Sequence, residues 1–479
     1  MNIDTFIGRN RQLAGLKRLL QRRTASLVVI RGRRRVGKSR LVEEFAKDLT
    51  YYKFEGLAPT KQTTAQSQRE EFARQLSHYF GLPGLKADDW GDLFSLLAKH
   101  TEQGRVVILF DEITWMASLD PTFLGKLKIA WDNYFSKNPN LILILCGSIS
   151  TWIEKNILSS TLFFGRIKHK IILEELSLPH CNDLLKVIGF RGSIFEKFML
   201  LSMTGGIPWY IELIDPSLSA VENIQQLCFV EDGILVDEFD NIFHDLFGRN
   251  NNIYKDIIST LSLGPVTYKE LSERIDYPSG GPLTEYVNNL ILSGYITKDY
   301  SWSIKSSKEL SLYKLRLSDN YMRFYLKYIS PNYQKITKGR FQHYSVTDLA
   351  GWDTIMGYQF ENLVLNNRNI LLEKLNISPS HVVYDNPYFQ RETKSSRGCQ
   401  IDYLIQTKFN TLYLCEVKFS KNPVGMNIVN EVEQKIAALN LPKTFSVLPV
   451  LIHINGATEG MATNDFFAHI VDFGELLEN

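Results

Sequence analysis

The rhythm of apolar and polar positions changes three times along this chain. Up to about Leu178, almost continuously apolar runs alternate with stretches at helical period. Ser26–Arg31, Arg105–Phe110 and Leu141–Cys146 are such runs, and each predicts a buried parallel strand. With helical patterns between them, they predict a doubly wound α/β domain. From Pro179 to about residue 250 helical patterns dominate, as in Ser193–Met203 and Ser219–Phe229, and predict a helical lid. The next segment reads as three short helices, Ile253–Leu263, Tyr268–Ile275 and Leu283–Ser293, then strand-like runs at Tyr295–Lys298 and Tyr313–Leu317. Three helices and a two-stranded wing form the winged-helix pattern. Pro331–Lys338 is polar and aperiodic and reads as a linker. Beyond it, helices mix with strands at Gln400–Gln406, Thr411–Phe419 and Ser446–Ile454. The expected division is an α/β core at 1–178, a lid at 179–250, a winged helix at 251–330 and an α/β domain at 331–479.

Length and charge narrow this picture. A chain of 479 residues exceeds one ordinary core. Its formal net charge of +2 argues against a broad, sequence-independent DNA-binding surface, so any nucleic-acid contact must be local. The five cysteines include no CxxC pair, which favours reduced core thiols over a zinc site or disulfide framework. Met1 to Arg11 has no apolar signal core and no run approaches a membrane span. A cytoplasmic protein with no membrane partner is expected.

Gly32-Arg33-Arg34-Arg35-Val36-Gly37-Lys38-Ser39 fits G-x-x-x-x-G-K-[ST] between an apolar strand and a predicted helix, Lys38–Leu49. Glycines let the backbone curl so that N–H groups face phosphates, and the helix N-terminus adds partial positive charge. The loop residues, with Arg40 just after them, are expected to hold ATP. Lys38 would reach the β- and γ-phosphates and Ser39 would ligand Mg²⁺. Asp111 and Glu112 follow the Arg105–Phe110 strand directly, at the carboxyl end where ligands bind in open α/β sheets. Asp111 is expected to hold hydrated Mg²⁺, and Glu112 to polarise the attacking water. Ser148, after the next strand, would sit near the γ-phosphate. Arg166 reads either as a charge sensor or arginine finger, or as an ordinary surface arginine.

A second constellation lies near the C-terminus. Gln400–Gln406 and Thr411–Phe419 are joined by Lys408-Phe409-Asn410, a three-residue hairpin loop ending in a residue that tolerates the left-handed conformation. A turn centred on Phe409 sets Asp402 opposite Glu416, and Lys418 shares their face. Two carboxylates and a lysine suit metal-assisted phosphodiester cleavage, with Asp402 and Glu416 on Mg²⁺ and Lys418 orienting water. The same pattern also fits a solvated cross-strand ion pair. Gln434 and Lys435, on the predicted helix Val429–Leu439, are weaker candidates.

Several of these stretches resemble the prokaryotic archaeal-type ATPase family, a P-loop class near the AAA+ and STAND NTPases. They are Phe6-Ile7-Gly8-Arg9, the Gly32–Ser39 loop, Leu109-Phe110-Asp111-Glu112-Ile113, Cys146-Gly147-Ser148, Thr204-Gly205-Gly206-Ile207-Pro208 and Leu317-Ser318-Asp319 with Arg323-Phe324-Tyr325. Asn10 and Gln12 depart from it, standing where acidic residues are usual. The resemblance implies that Arg9 touches the nucleotide and Pro208 senses it from the lid. It also implies a C-terminal restriction-endonuclease-like domain, and Asp402 with Glu416-Val417-Lys418 resembles the PD-(D/E)xK motif. Glu361, in Gly357-Tyr358-Gln359-Phe360-Glu361, matches the preceding helical glutamate of that motif and would complete the metal shell. Leu283–Ser293 carries Glu285 and no Lys or Arg, so the predicted winged helix is expected to pack and relay rather than read DNA.

The expectation is a P-loop ATPase, an ATP-binding and ATP-hydrolysing protein acting as a nucleotide-regulated, Mg²⁺-dependent nuclease on DNA, with RNA left open. The alternative is a signalling ATPase whose C-terminal fold binds a partner without cutting. Nucleotide-dependent homo-oligomerisation, with Arg166 acting in cis or in trans, is open in both.

Overall fold

The computed structural model describes residues 5–478 except 87, 248–250, 342–344, 393–396 and 440. The expected lid boundary at 250 lies outside the described residues. The chain divides into two compact units, one made of residues 4–174 with 292–294 and the other of the remainder.

The first unit is built on a five-stranded sheet. Its strands are β1 (Ser26–Gly32), β2 (Thr50–Glu55), β3 (Val106–Asp111), β4 (Leu141–Gly147) and β5 (Ile167–Leu173), in the order β2-β3-β4-β1-β5. Every pairing is parallel, so the carboxyl ends of β1, β3 and β4 share one edge. β3 and β4 are buried along their whole length, which is why they read as apolar runs. β2 and β5 were not expected as strands. Each is a sheet edge with a half-exposed or exposed face, and their sequences, TYYKFE and IKHKIIL, carry polar residues there. The free edge of β2 is covered by the helix Ala65–Phe80. Tyr79 Oη accepts from the Lys53 N–H (3.2 Å) and donates to the Lys53 carbonyl (3.0 Å). Gln75 does the same for Glu55, at 2.8 and 3.0 Å. These bonds satisfy backbone groups that would otherwise recruit another strand.

The second unit contains the helices of residues 178–247, a hairpin and a mixed sheet. The hairpin pairs β6 (Ile296–Ser303) with β7 (Lys308–Leu317) after the helices Asn251–Ser262, Tyr268–Arg274 and Gly281–Leu292. The sheet consists of β8 (Val382–Gln390), β9 (Cys399–Thr407), β10 (Thr411–Val417), β11 (Ser446–His453) and β12 (His469–Asp472), ordered β12-β11-β10-β9-β8. β8, β9 and β10 run antiparallel in sequence, whereas β10, β11 and β12 are parallel.

Side chains lock these parts together. Trp302 on β6 stacks on Tyr384 of β8, and Ser301 Oγ donates to the Phe389 carbonyl at 3.1 Å. Lys197, buried in the helix Ile194–Thr204, donates to the Leu477 carbonyl at 2.8 Å. The expected linker Pro331–Lys338 is instead mostly helical, as a 3-10 turn (Ser330–Asn332) and the turn Tyr333–Ile336. Ile336 is buried and Tyr333 Oη donates to Asp237, so one apolar anchor draws a polar segment onto the core. Tyr321, Phe324, Tyr325 and Tyr328 are buried, as their helical spacing predicts. All five cysteines are free thiols, and no helix among the described residues is long and apolar enough to cross a membrane.

The hairpin also contains a buried ion pair, Arg316 Nε to Asp299 Oδ2 at 2.7 Å, with both side chains under a tenth exposed. Removing one partner strands the other charge away from water. Asp299→Ala should therefore destabilise the second unit by about 3–5 kcal/mol, measured as a lower midpoint in chemical denaturation of the full chain.

Candidate functional site

The phosphate loop starts where β1 ends. A Cβ at Gly32 would run into the Leu173 carbonyl of β5, so only glycine allows this strand approach. Arg35 (φ 68°) and Gly37 (φ 87°) adopt left-handed backbone, the reversal of hand that builds an N–H-lined anion nest. The helix Lys38–Ala46 begins at once, so its unpaired N–H groups and dipole face the same place. Lys38 Nζ spans the loop, donating to the carbonyls of Gly32 (3.1 Å) and Arg33 (2.8 Å).

Beside this loop lies a connected polar chain. Ser39 Oγ donates to Asp111 Oδ2 at 2.6 Å. Glu112 has φ 49° and donates its N–H to Asp111 Oδ1 at 3.1 Å. The Glu112 carboxylate accepts both the N–H (3.1 Å) and the hydroxyl (3.0 Å) of Ser148. Ser39 comes from the helix that follows β1, and the other three from the ends of β3 and β4, so the sheet brings them together. Ser39 and Asp111 offer hard oxygen donors, which fits Mg²⁺.

Sequence reasoning missed Lys53. Its Nζ is 3.3 Å from Asp111 Oδ2. Burial works against its charge, but Asp111 and then Glu55 outweigh that and raise its pKa. Its strand was not recognised, so nothing in the sequence aligned it with Asp111.

Other expected residues are placed variously. Arg9 caps the helix Asn10–Leu19 in left-handed conformation and donates to the carbonyls of Val36 (3.3 Å) and Glu174 (2.5 Å), which ties it to the phosphate loop. Arg40 donates to the Thr5 carbonyl. Pro208 belongs to the second unit, where it opens the helix Pro208–Glu212. Arg166 needs correction as a residue for its own chain's nucleotide. It precedes Ile167, which pairs with Leu27, whereas Gly32 pairs with Leu173. Five residues of strand, roughly 16 Å, separate it from the loop, and it forms a two-pronged ion pair with Asp132 at 2.7 and 2.8 Å.

The second constellation keeps its expected register. Asn410 has φ 57° in the loop between β9 and β10, and Cys415 pairs with Tyr403, so the next step sets Glu416 opposite Asp402. Asp402 Oδ2 accepts the Val417 N–H at 2.9 Å. Lys418 Nζ is 3.0 Å from Glu416 and 3.3 Å from Glu431. Lys435 hydrogen-bonds Glu416 and stands 3.9 Å from Asp402, which makes it more central than its sequence position suggested.

Glu361 is the correction here. Among the described residues no three His, Cys, Asp or Glu side chains gather closely enough to hold a metal ion, so Glu361 does not complete a shell with Asp402 and Glu416. Its helix, Trp352–Asn366, places it within electrostatic reach only. Burial, then the Asp402 charge, push its pKa up to about 8; burial, then Glu416, push Asp402 up to about 6. Two carboxylates with water still fit Mg²⁺.

Residues 6–214 match the family model described as an ATPase domain predominantly from Archaea. An uncharacterized protein of Methanocaldococcus jannaschii is 25% identical over 380 residues, covering 78% of this chain and 79% of the relative. A Walker-type ATPase of Pyrococcus abyssi superposes with a TM-score of 0.51 at 16% identity, over 67% of this chain and 96% of that one.

A carboxyl group whose pKa is raised by folding favours the folded state while protonated, and that stability is lost as pH rises through the folded value. Stability should therefore fall from about pH 4 to about pH 8 through Asp402 and Glu361. Melting curves across that window should flatten in Glu361→Gln; curves parallel to wild type would refute the assignment. The phosphate loop and its connected acidic pair both lie within residues 6–214, the stretch that is similar to an ATPase domain predominantly from Archaea.

Proposed function

We propose that this chain binds Mg²⁺–ATP at the Gly32–Ser39 loop, hydrolyses it, and uses the nucleotide cycle to govern metal-dependent cleavage of nucleic acid at Asp402 and Glu416. The observation that carries the ATPase half is the continuous set of contacts Ser39–Asp111–Glu112–Ser148 beside Lys38. Lys38 would leave its loop carbonyls for the β- and γ-phosphates. Glu112, held in place by Ser148, would orient the attacking water and take up its proton. Bound Mg²⁺ would neutralise charge on the phosphates.

The nuclease half rests on opposed carboxylates flanked by Lys418 and Lys435. There Asp402 and Glu416 would hold Mg²⁺, and either lysine would orient water toward a phosphodiester, with DNA the first substrate to test and RNA the second. We read the helices and hairpin at 251–317 as a winged helix that acts as a relay. One observation favours the alternative of a partner-binding, non-cleaving fold: Glu416 is ion-paired to two lysines, as in a structural cluster. Arg166 could serve only a neighbouring copy's nucleotide, a role that requires an ATP-dependent oligomer.

Calorimetry should show ATP binding lost in Lys38→Ala. In Glu112→Gln binding should persist while hydrolysis falls about 10²-fold or more; undiminished turnover would remove Glu112 from the mechanism. Cleavage of duplex or single-stranded DNA with Mg²⁺ or Mn²⁺ should disappear in Asp402→Asn. Nucleic-acid binding without any metal-dependent cutting by the wild type would favour the alternative.

A further inference from the structure

Lys53 has no part in the roles assigned so far, yet it meets the central carboxylate of the first unit. Its ammonium lies 3.3 Å from Asp111 Oδ2, the same oxygen that accepts the Ser39 hydroxyl at 2.6 Å. Two further carboxylates stand near that ammonium, Glu43 at 3.8 Å and Glu55 at 3.9 Å. The parallel register pairs Glu55 with Asp111 and Lys53 with Leu109, so residues 53, 55 and 111 project from one face of the sheet. Tyr79 fixes the Lys53 backbone through both its N–H and its carbonyl. The ammonium can therefore travel only by its own side-chain torsions, over an arc that holds three acceptors. With 27% of its side chain exposed against 5% for Asp111, Lys53 is the partner with room to move.

A divalent cation bound by Ser39 Oγ and Asp111 would share one carboxylate oxygen with this ammonium. Two positive charges at that separation repel strongly where water is partly excluded. A tethered lysine and a metal thus make rival claims on Asp111, and Glu43 and Glu55 offer the lysine another place to go.

We propose that Lys53 is a tethered counter-ion of Asp111 that competes with Mg²⁺ and yields the carboxylate by swinging to Glu43 and Glu55. This rests on Ser39 and Asp111 being the metal-binding pair of the nucleotide site. Lys53 is then a positioning residue. It sets the Mg²⁺ concentration at which nucleotide is held and takes no part in holding the phosphates or the attacking water. The exchange ties metal loading to the edge strand β2, whose backbone is covered by the helix Ala65–Phe80.

The test is Mg²⁺ titration of the full chain with ATP present, read by calorimetry or a fluorescent ATP analogue, with parallel binding in EDTA. Lys53→Met should lower the half-saturating Mg²⁺ concentration about threefold to tenfold and leave metal-free nucleotide binding within about twofold. Lys53→Arg should stay near wild type, since it keeps the charge. Replacing both Glu43 and Glu55 by Gln should raise the Mg²⁺ requirement, because the lysine then has no alternative acceptor. An unchanged requirement in Lys53→Met overturns the proposal, and so does an increase, which would make Lys53 a phosphate ligand. Wild-type protein that takes up no nucleotide at any Mg²⁺ concentration would instead sink the nucleotide site, and this inference with it.

Discussion

The carboxylate of Asp111 is the interaction around which the first unit is arranged. It is only 4% exposed, and a buried carboxylate persists only where donors and positive charge surround it. Each partner comes from a different element: the Ser39 hydroxyl from the helix after β1, the Glu112 N–H from the turn after β3, and the Lys53 ammonium from β2. The strand order makes this possible. β4 lies between β3 and β1, so the loop leaving β1 must cross the end of β4 to reach Asp111, and Ser148 at that end is drawn into the same set of contacts. In this way a parallel sheet turns four separate segments of the chain into one site.

The second unit solves a related problem by another route. Asp402, Glu416 and Glu361 are carboxylates in a region poor in water; burial first, and then their mutual repulsion, raises the pKa of Asp402 and Glu361. Lys435 and Lys418 offset part of that charge. Burying the cluster in a purely structural role would gain little, because desolvation consumes most of what such pairs return. A divalent cation at Asp402 and Glu416 would relieve the same repulsion.

What the sequence revealed and what it concealed divide along one line, between local and long-range geometry. The phosphate loop was legible because its residue types, the strand before it and the helix after it lie within about twenty consecutive residues. Asp111 and Glu112 were legible because a fully buried strand announces its own end. The opposition of Asp402 and Glu416 was legible because a three-residue loop ending in left-handed Asn410 fixes the register. Lys53 was hidden, because its relation to Asp111 exists only once the polar edge strand β2 pairs with β3. Arg166 stayed open between a nucleotide-facing and a surface arginine for the same reason: only its place before β5 shows which end of the sheet it occupies. Glu361 had the right neighbours in sequence, but its distance from the hairpin is set by how its helix packs, and no local pattern encodes that. Pro331–Lys338 looked like a linker because its one buried anchor, Ile336, is outnumbered by polar residues.

That helix also gives the second unit a route for mechanical coupling. Asn362, next to Glu361, accepts from Arg316 of β7 and donates to the Leu317 carbonyl at 3.0 Å. Gln359, on the same helix, accepts from Arg323 at 3.0 Å and donates to the Asn320 carbonyl at 2.6 Å. Arg323 is fully enclosed, and burial, then the neighbouring Arg316 charge, bring its pKa down to about 10. Enclosed cations of this kind tolerate little loss of partners, so the segment 316–323 and the helix Trp352–Asn366 must move together or not at all. Displacing the β6–β7 hairpin would then shift Glu361 relative to Asp402 and alter the electrostatics at Asp402 and Glu416. A relay role for the hairpin therefore requires no base-reading surface, in keeping with the absence of Lys and Arg from Leu283–Ser293.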